Sequence, residues 1–200
     1  KEDYDFFIGV NFIPDIPRNV QKKLKFMSIV DQHDLNCVNL IDPECRIGRN
    51  VILGQGLCIG YVSVIENNVT IGDHSQVNTF SYVAHNTVIG RNCTIQRNVA
   101  VLSNVTMGDN NYFGISSRLL KSDGMKIGSN CFVHPGLVVM RDINDNEIVV
   151  LASSLFKEYV NSGISPSKAK KLVLTDHNLR NREELLDLHK VFEYRKQNDN

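Results

Sequence analysis

His85, in the stretch VNTFSYVAHNTVIG from Val77 to Gly90, is the side chain best placed by type and context to do chemistry in this 200-residue sequence. Imidazole titrates near pH 6.5, so at neutral pH it can take a proton from an attacking hydroxyl or ammonium group, as acyl transfer from a thioester requires. That reaction also needs a donor for the developing oxyanion, and a backbone N–H on a rigid frame supplies one with little reorganisation. Ser103 follows His85 by eighteen residues, and its amide is the candidate donor. Asn78 and Thr79, just ahead of His85, are candidates to position the acceptor, while Arg118 and Lys121 offer cations to an anionic ligand.

Other chemistries fit less well. His74, His85 and His134 do not have the separations that bring three imidazoles onto one metal ion, and the five cysteines (Cys37, Cys45, Cys58, Cys93, Cys131) include no CxxC and no zinc-ligand spacing to histidine. No metal is expected. An odd cysteine count without a secretory leader points to reduced thiols and a cytoplasmic protein. With 22 Lys+Arg against 22 Asp+Glu there is no basic excess to hold a nucleic acid, and no apolar run approaches the roughly 18 residues a membrane span needs.

The frame that must position these residues is written in a period of six. From Ile41 onward every sixth residue is apolar: Ile47, Leu53, Ile59, Ile65, Ile71, Val77, Val83, Ile89, Ile95, Val101, Met107 and Phe113. An interruption at Leu119 to Lys126 is two residues longer than one hexad, and the series resumes with Ile127, Val133 and Val139. Glycine often follows the apolar residue, as at Gly48, Gly54, Gly60, Gly72, Gly90, Gly108, Gly114 and Gly128, where the chain must bend or neighbouring backbone must approach closely. Two places further on asparagine recurs, at Asn50, Asn68, Asn86, Asn92, Asn98, Asn104, Asn110 and Asn130, as a turn with positive φ would favour. The next position is small or β-branched, and Cys45, Cys93 and Cys131 share it, so those thiols read as core filler. A period of six excludes helices, whose apolar face recurs near 3.6, and requires short strands that coil.

The pattern resembles the hexapeptide-repeat superfamily, and the resemblance implies a mainly β chain folded as a left-handed parallel β-helix of triangular section, with about eighteen residues per coil. Within it, FFIGVN (Phe6 to Asn11), NLIDP (Asn39 to Pro43) and above all VNTFSYVAHNTVIG resemble bacterial sugar O- and N-acyltransferases of the sialic-acid and bacillosamine type. That resemblance implies acetyl-CoA as donor, an amino or hydroxyl group of a sugar or nucleotide-linked sugar as acceptor, His85 as general base, and a homotrimer with sites between subunits. The catalytic set is then His85, Asn86 and Ser103. Three positions depart from the family. Asn86 stands where the family has Glu or Asp, in line with Asn50, Asn68 and Asn104 at eighteen-residue intervals, the spacing of a structural ladder. Thr94 replaces a second histidine, and Leu151 to Leu155 replaces a Gly-x-Pro-Ala-Lys element that helps hold coenzyme A. The alternative reading is a non-catalytic scaffold or regulatory coil.

The flanks complete three expected segments. In residues 1–40, a partial Rossmann-like α/β piece, Tyr4 to Val10 reads as a buried strand, Pro17 to Phe26 as a helix, and MSIV and CVNLI as short strands, with no GxGxxG turn. Residues 41–150 form the coil. Residues 151–200 form a helical extension, with a helix start at Ser165-Pro166 and a capping box at Asn181 before an amphipathic segment bearing Leu185, Leu188 and Phe192.

Overall fold

The structure, a computed structural model, describes residues 5–9, 17–121, 123–150 and 152–175. Two compact units divide the chain, Lys1–Glu147 and Ile148–Asn200. In the first, seventeen described strands, of two or three residues each, wind from Leu40 to Val139. Each strand pairs in parallel with the third one on, so the coil has three faces. Face one carries Leu40–Ile41, Cys58–Ile59, Gln76–Val77, Thr94–Ile95, Tyr112–Phe113 and Phe132–Val133. Face two runs from Arg46–Ile47 through Val64–Ile65, Tyr82–Val83, Ala100–Val101 and Arg118–Leu119 to Val138–Val139, and face three from Ile52–Leu53 to Met125–Ile127. The expected β-helix is the observed architecture.

The register shows why six is the period. Leu40 pairs with Cys58, Val64 with Tyr82 and Thr70 with Val88, eighteen residues apart, so like positions stack face by face. The every-sixth residues point inward, and from Ile59 to Leu119 each is at most 2% exposed. Truncating one of them, such as Ile95 to alanine, would cost about 2–5 kcal/mol. Ile41 and Ile47 are more open because their strands lie at the outer edges of faces one and two. At the second inward position the small polar groups donate to a carbonyl fifteen residues on: Ser75 Oγ to Gly90 O at 2.8 Å, Thr87 Oγ1 to Leu102 O at 3.1 Å, and Cys93 Sγ to Gly108 O at 3.2 Å.

Corner chemistry divides between two residue types. Glycine after the inward residue answers crowding: a Cβ on Gly72 would stand 2.7 Å from Arg91 N in the next coil. Positive φ falls to asparagine, at Asn50, Asn68, Asn86, Asn92, Asn98, Asn104, Asn110, Asn130 and Asn146. Val62 and Phe80 take the same conformation without a side chain that favours it, at φ 53° and 61°. Leu119 keeps its inward place opposite Val101, so the interruption begins one residue later than the sequence suggested. The inserted residues lengthen one coil, and beyond them the separations are twenty: Val105 to Met125, Tyr112 to Phe132, Arg118 to Val138.

Helix α1 spans Pro17–His33 and takes in MSIV, which the sequence had suggested was a strand. The burial of Lys23, Met27 and Val30, spaced four and three apart, shows the helical period; a lysine in that stripe hid it from the pattern. Ile8, Met27, Val30 and Cys37 form a small core, and Phe6 bridges Cys37 in parallel. Lys23 Nζ reaches His74 O at 2.9 Å and Arg91 pairs with both oxygens of Asp31, so α1 belongs to the same unit as the coil.

The second unit contains the strand Ile148–Val149, helix α2 (Ala152–Asn161) and helix α3 (Pro166–Thr175). Helix α3 starts where Ser165-Pro166 indicated, with Ala169 N donating to Ser165 O at 2.8 Å. The capping box at Asn181 and the segment with Leu185, Leu188 and Phe192 lie outside the described residues.

Candidate functional site

The corners between faces two and three form a column in which His85 follows Asn67 and Ser103 follows His85. Asn86 N donates to Asn67 O and Asn104 N to His85 O, each at 3.1 Å, which stacks the three corners one above another. A coil spacing near 4.8 Å puts the Ser103 backbone within one layer of His85. His85 is exposed and Ser103 half-buried. A cleft of about 530 Å³ opens at this corner, lined by Arg46, Glu66, Asn67, Asn68, His85 and Asn86 among others.

Glu66 was not foreseen. It ends the Val64–Ile65 strand one coil before His85, and its two oxygens have different partners: the Tyr82 hydroxyl donates to Oε1 at 2.5 Å and His85 N to Oε2 at 2.9 Å. The Tyr82 hydrogen bond above all, then the amide and the charge of His85, hold this carboxyl below the usual range, outweighing a desolvation effect of opposite sign. The same bond holds the Tyr82 hydroxyl above its ordinary value, so the pair is a tyrosine and a carboxylate. Nineteen residues separate Glu66 from His85, and only the coil register could have joined them.

Asn86 is a rung of a ladder. It takes φ 58°, accepts from Asn68 Nδ2 at 3.1 Å and donates to Asn104 Oδ1 at 3.3 Å, while Asn50 donates to Asn68 in the same way. Asn78 and Thr79 sit at the preceding corner, on the far side of the Tyr82–Val83 strand, and do not line the cleft. Arg118 stands exposed on face two. Lys121 follows Ser103 in the His85 column by the Val101↔Leu119 register, where the inserted loop begins, and its ammonium donates to Asp142 Oδ1 at 2.9 Å.

The thiols are unsuited to catalysis. Burial pushes all five upward, Cys93 to about 12. Among the described residues no group of three or more His, Cys, Asp or Glu is arranged to hold a metal ion. No described helix is long and apolar enough to cross a membrane.

Comparison with known proteins agrees with the coil fold. A perosamine N-acetyltransferase variant from Caulobacter crescentus, solved with coenzyme A and GDP-perosamine, is 24% identical over 72% of this chain and 65% of its own, with a TM-score of 0.62. WeeI from Acinetobacter baumannii is 24% identical over 65% of this chain and 63% of its own, with a TM-score of 0.61. The acetyltransferase domain of PglB from Neisseria gonorrhoeae, in complex with acetyl coenzyme A, is 20% identical over 64% of this chain and 62% of its own, with a TM-score of 0.60. This chain therefore spans less than two thirds of the length of each, and at these identities the likeness establishes the fold. No curated protein matches the sequence. Residues 63–101, which include His85, match the family described as bacterial transferase hexapeptide (six repeats), and the coil is a hexapeptide-repeat β-helix.

Proposed function

We propose that the chain transfers an acyl group, most simply acetyl, from a coenzyme A thioester to an amino or hydroxyl group of a sugar or nucleotide-linked sugar, with His85 as general base. The observation that carries this reading is the corner itself, where an exposed histidine faces an open cleft beside a carboxylate and one layer from the Ser103 amide. The complexes of the neighbouring structures with coenzyme A, acetyl coenzyme A and GDP-perosamine support the choice of donor and acceptor classes.

The thioester supplies an activated acyl carbon. His85 takes the proton as the acceptor nitrogen or oxygen bonds to that carbon and the carbonyl π electrons move onto oxygen. The Ser103 amide donates to that oxyanion. When the carbon–sulfur bond breaks, the proton held by His85 passes to the thiolate. One detail favours Ser103: in this column Arg49 N is capped by Asn67 Oδ1, eighteen residues on, and His85 N by Glu66, nineteen residues back. By those two routes Ser103 would meet Lys121 and Ala84, neither of which has an acceptor side chain. The reading includes cytoplasmic location and assembly as a homotrimer, the latter supported by exposed apolar residues on two faces, Tyr82 and Ile52 among them.

The test is thiol release from acetyl-CoA in the presence of amino sugars. The wild type is expected to turn over, and His85→Ala to lose about 10²-fold or more in kcat while its thermal midpoint stays near that of the wild type. A wild type that neither binds coenzyme A by calorimetry nor releases thiol would leave the scaffold reading, which the engagement of Asn86 in its ladder favours.

A further inference from the structure

The amides two places after an inward apolar residue show a habit that His85 breaks. Arg49, Gln55 and Arg91 each donate their N–H to a side-chain oxygen eighteen residues on, from Asn67, Asp73 and Asp109. Those acceptors are short side chains of the following coil, and the bonds tie one layer to the next. At His85 the acceptor comes from the preceding coil, and it is a longer carboxylate, Glu66 Oε2 at 2.9 Å. Its other oxygen is taken by the Tyr82 hydroxyl, so donors on both oxygens fix the orientation of the group. Glu66 is half-buried, lines the same cleft as His85, and is not needed to fill the core.

A histidine that takes a proton becomes a cation, and a nearby carboxylate stabilises that form while keeping the ring's backbone in place. Asn86, the chain neighbour of His85, has no charge to offer and spends both ends of its amide on the ladder. We infer that Glu66, supplied by the preceding coil and clamped by Tyr82, is the positioning carboxylate of His85, in place of an acid at Asn86. The inference rests on the acyltransferase reading and adds to it a residue that acts through His85. The charge of His85 already acts on Glu66, contributing to the lowering of its carboxyl behind the hydrogen bonds from Tyr82 and the His85 amide.

Two measurements separate this role from ordinary capping of an amide. The first follows the Glu66 carboxyl by ¹³C NMR in the wild type and in His85→Ala, which keeps the peptide N–H and the Tyr82 hydroxyl and removes only the imidazole. The Glu66 midpoint is expected to rise by about 0.3 pH unit or more when the neighbouring positive charge is lost; an unmoved midpoint would overturn the proposal. The second is the kinetics of Glu66→Gln, which can still hydrogen-bond both partners but carries no charge. We expect kcat to fall about 10-fold or more with KM within about two-fold. An unchanged kcat, or a loss confined to KM, would also overturn it. Wild-type turnover reads the acyltransferase assignment separately, so a protein without turnover in which the Glu66 midpoint still moves would retain the Glu66–His85 coupling and lose the reaction.

Discussion

Lys121 and Asp142 meet across the base of the inserted loop, Nζ to Oδ1 at 2.9 Å, and the same oxygen accepts the Lys126 amide at 2.9 Å. One carboxylate thus gathers both ends of the segment that interrupts the coil. The Lys126 amide first and Lys121 second hold the Asp142 carboxyl below its usual range. The clamp is therefore complete above the ordinary aspartate value of about 3.9 and is lost only as pH falls through the lower folded value. The Lys126 amide resonance should report it, with a midpoint below about 3.9 in the wild type and no such titration in Asp142→Asn. Global stability should change little, as for other exposed pairs.

The asparagine ladder predicts a cost for restoring an acid at Asn86. Glutamate there must adopt φ near 58° and cannot donate to Asn104 as the amide does. Urea unfolding of Asn86→Glu should show a loss of roughly 1 to 3 kcal/mol. With Glu66 already beside His85, no gain in rate is expected; a faster variant would show that the site lacks a carboxylate.

Buried Lys23 makes stability depend on alkaline pH. Desolvation above all lowers its pKa from 10.5 to about 8, against opposing charge effects of Cys93 and Cys58. Below pH 8 the lysine is charged in both folded and unfolded chains and the whole penalty is present. Between about 8 and 10.5 the unfolded chain holds more protons, so rising pH favours folding through this group, by about 3 kcal/mol across the interval. The thiols, pushed upward by burial, act in the opposite sense, so the comparison must be with Lys23→Met, which shares them. Urea unfolding of the pair from pH 7 to 10.5 should show the wild type gaining on the variant only above pH 8.

Assembly is checked by light scattering. Ile52 is 64% exposed and Val88 41% on face three, and Tyr82 is 37% exposed on face two. Single apolar residues at a surface are common, but stacked on flat parallel faces they suit a packing surface. At micromolar concentration the mass should be three times that of the chain; a monomer would remove a cleft shared between subunits.

The coil was legible because its physics is repeated. Ile59, Ile95 and Phe113 face inward for one reason, and the same spacing repeats at sixteen positions along the chain, so no single residue decides the reading. Asparagine at the positive-φ corners was legible for the same cause. What escaped was whatever occurs once. Val62 and Phe80 occupy asparagine corners without the chemistry that marks them. Helix α1 carries Lys23 inside its buried stripe, and Met27 with Val30 looked like strand residues without it. His85 could be singled out by its type, but Glu66 has no motif, and the contact between them depends on a register that spacing implies and only coordinates display.

The two extra residues of the 120–124 loop are absorbed within one corner, and the inward series resumes on the next face without a change of orientation. That corner belongs to the column of His85. Length can thus be added to this column two layers beyond His85 while Met125, Phe132 and Val133 keep the neighbours they would have had without it. In such a coil a change of loop length is a local edit: the fold absorbs it at a corner and resists it along the faces.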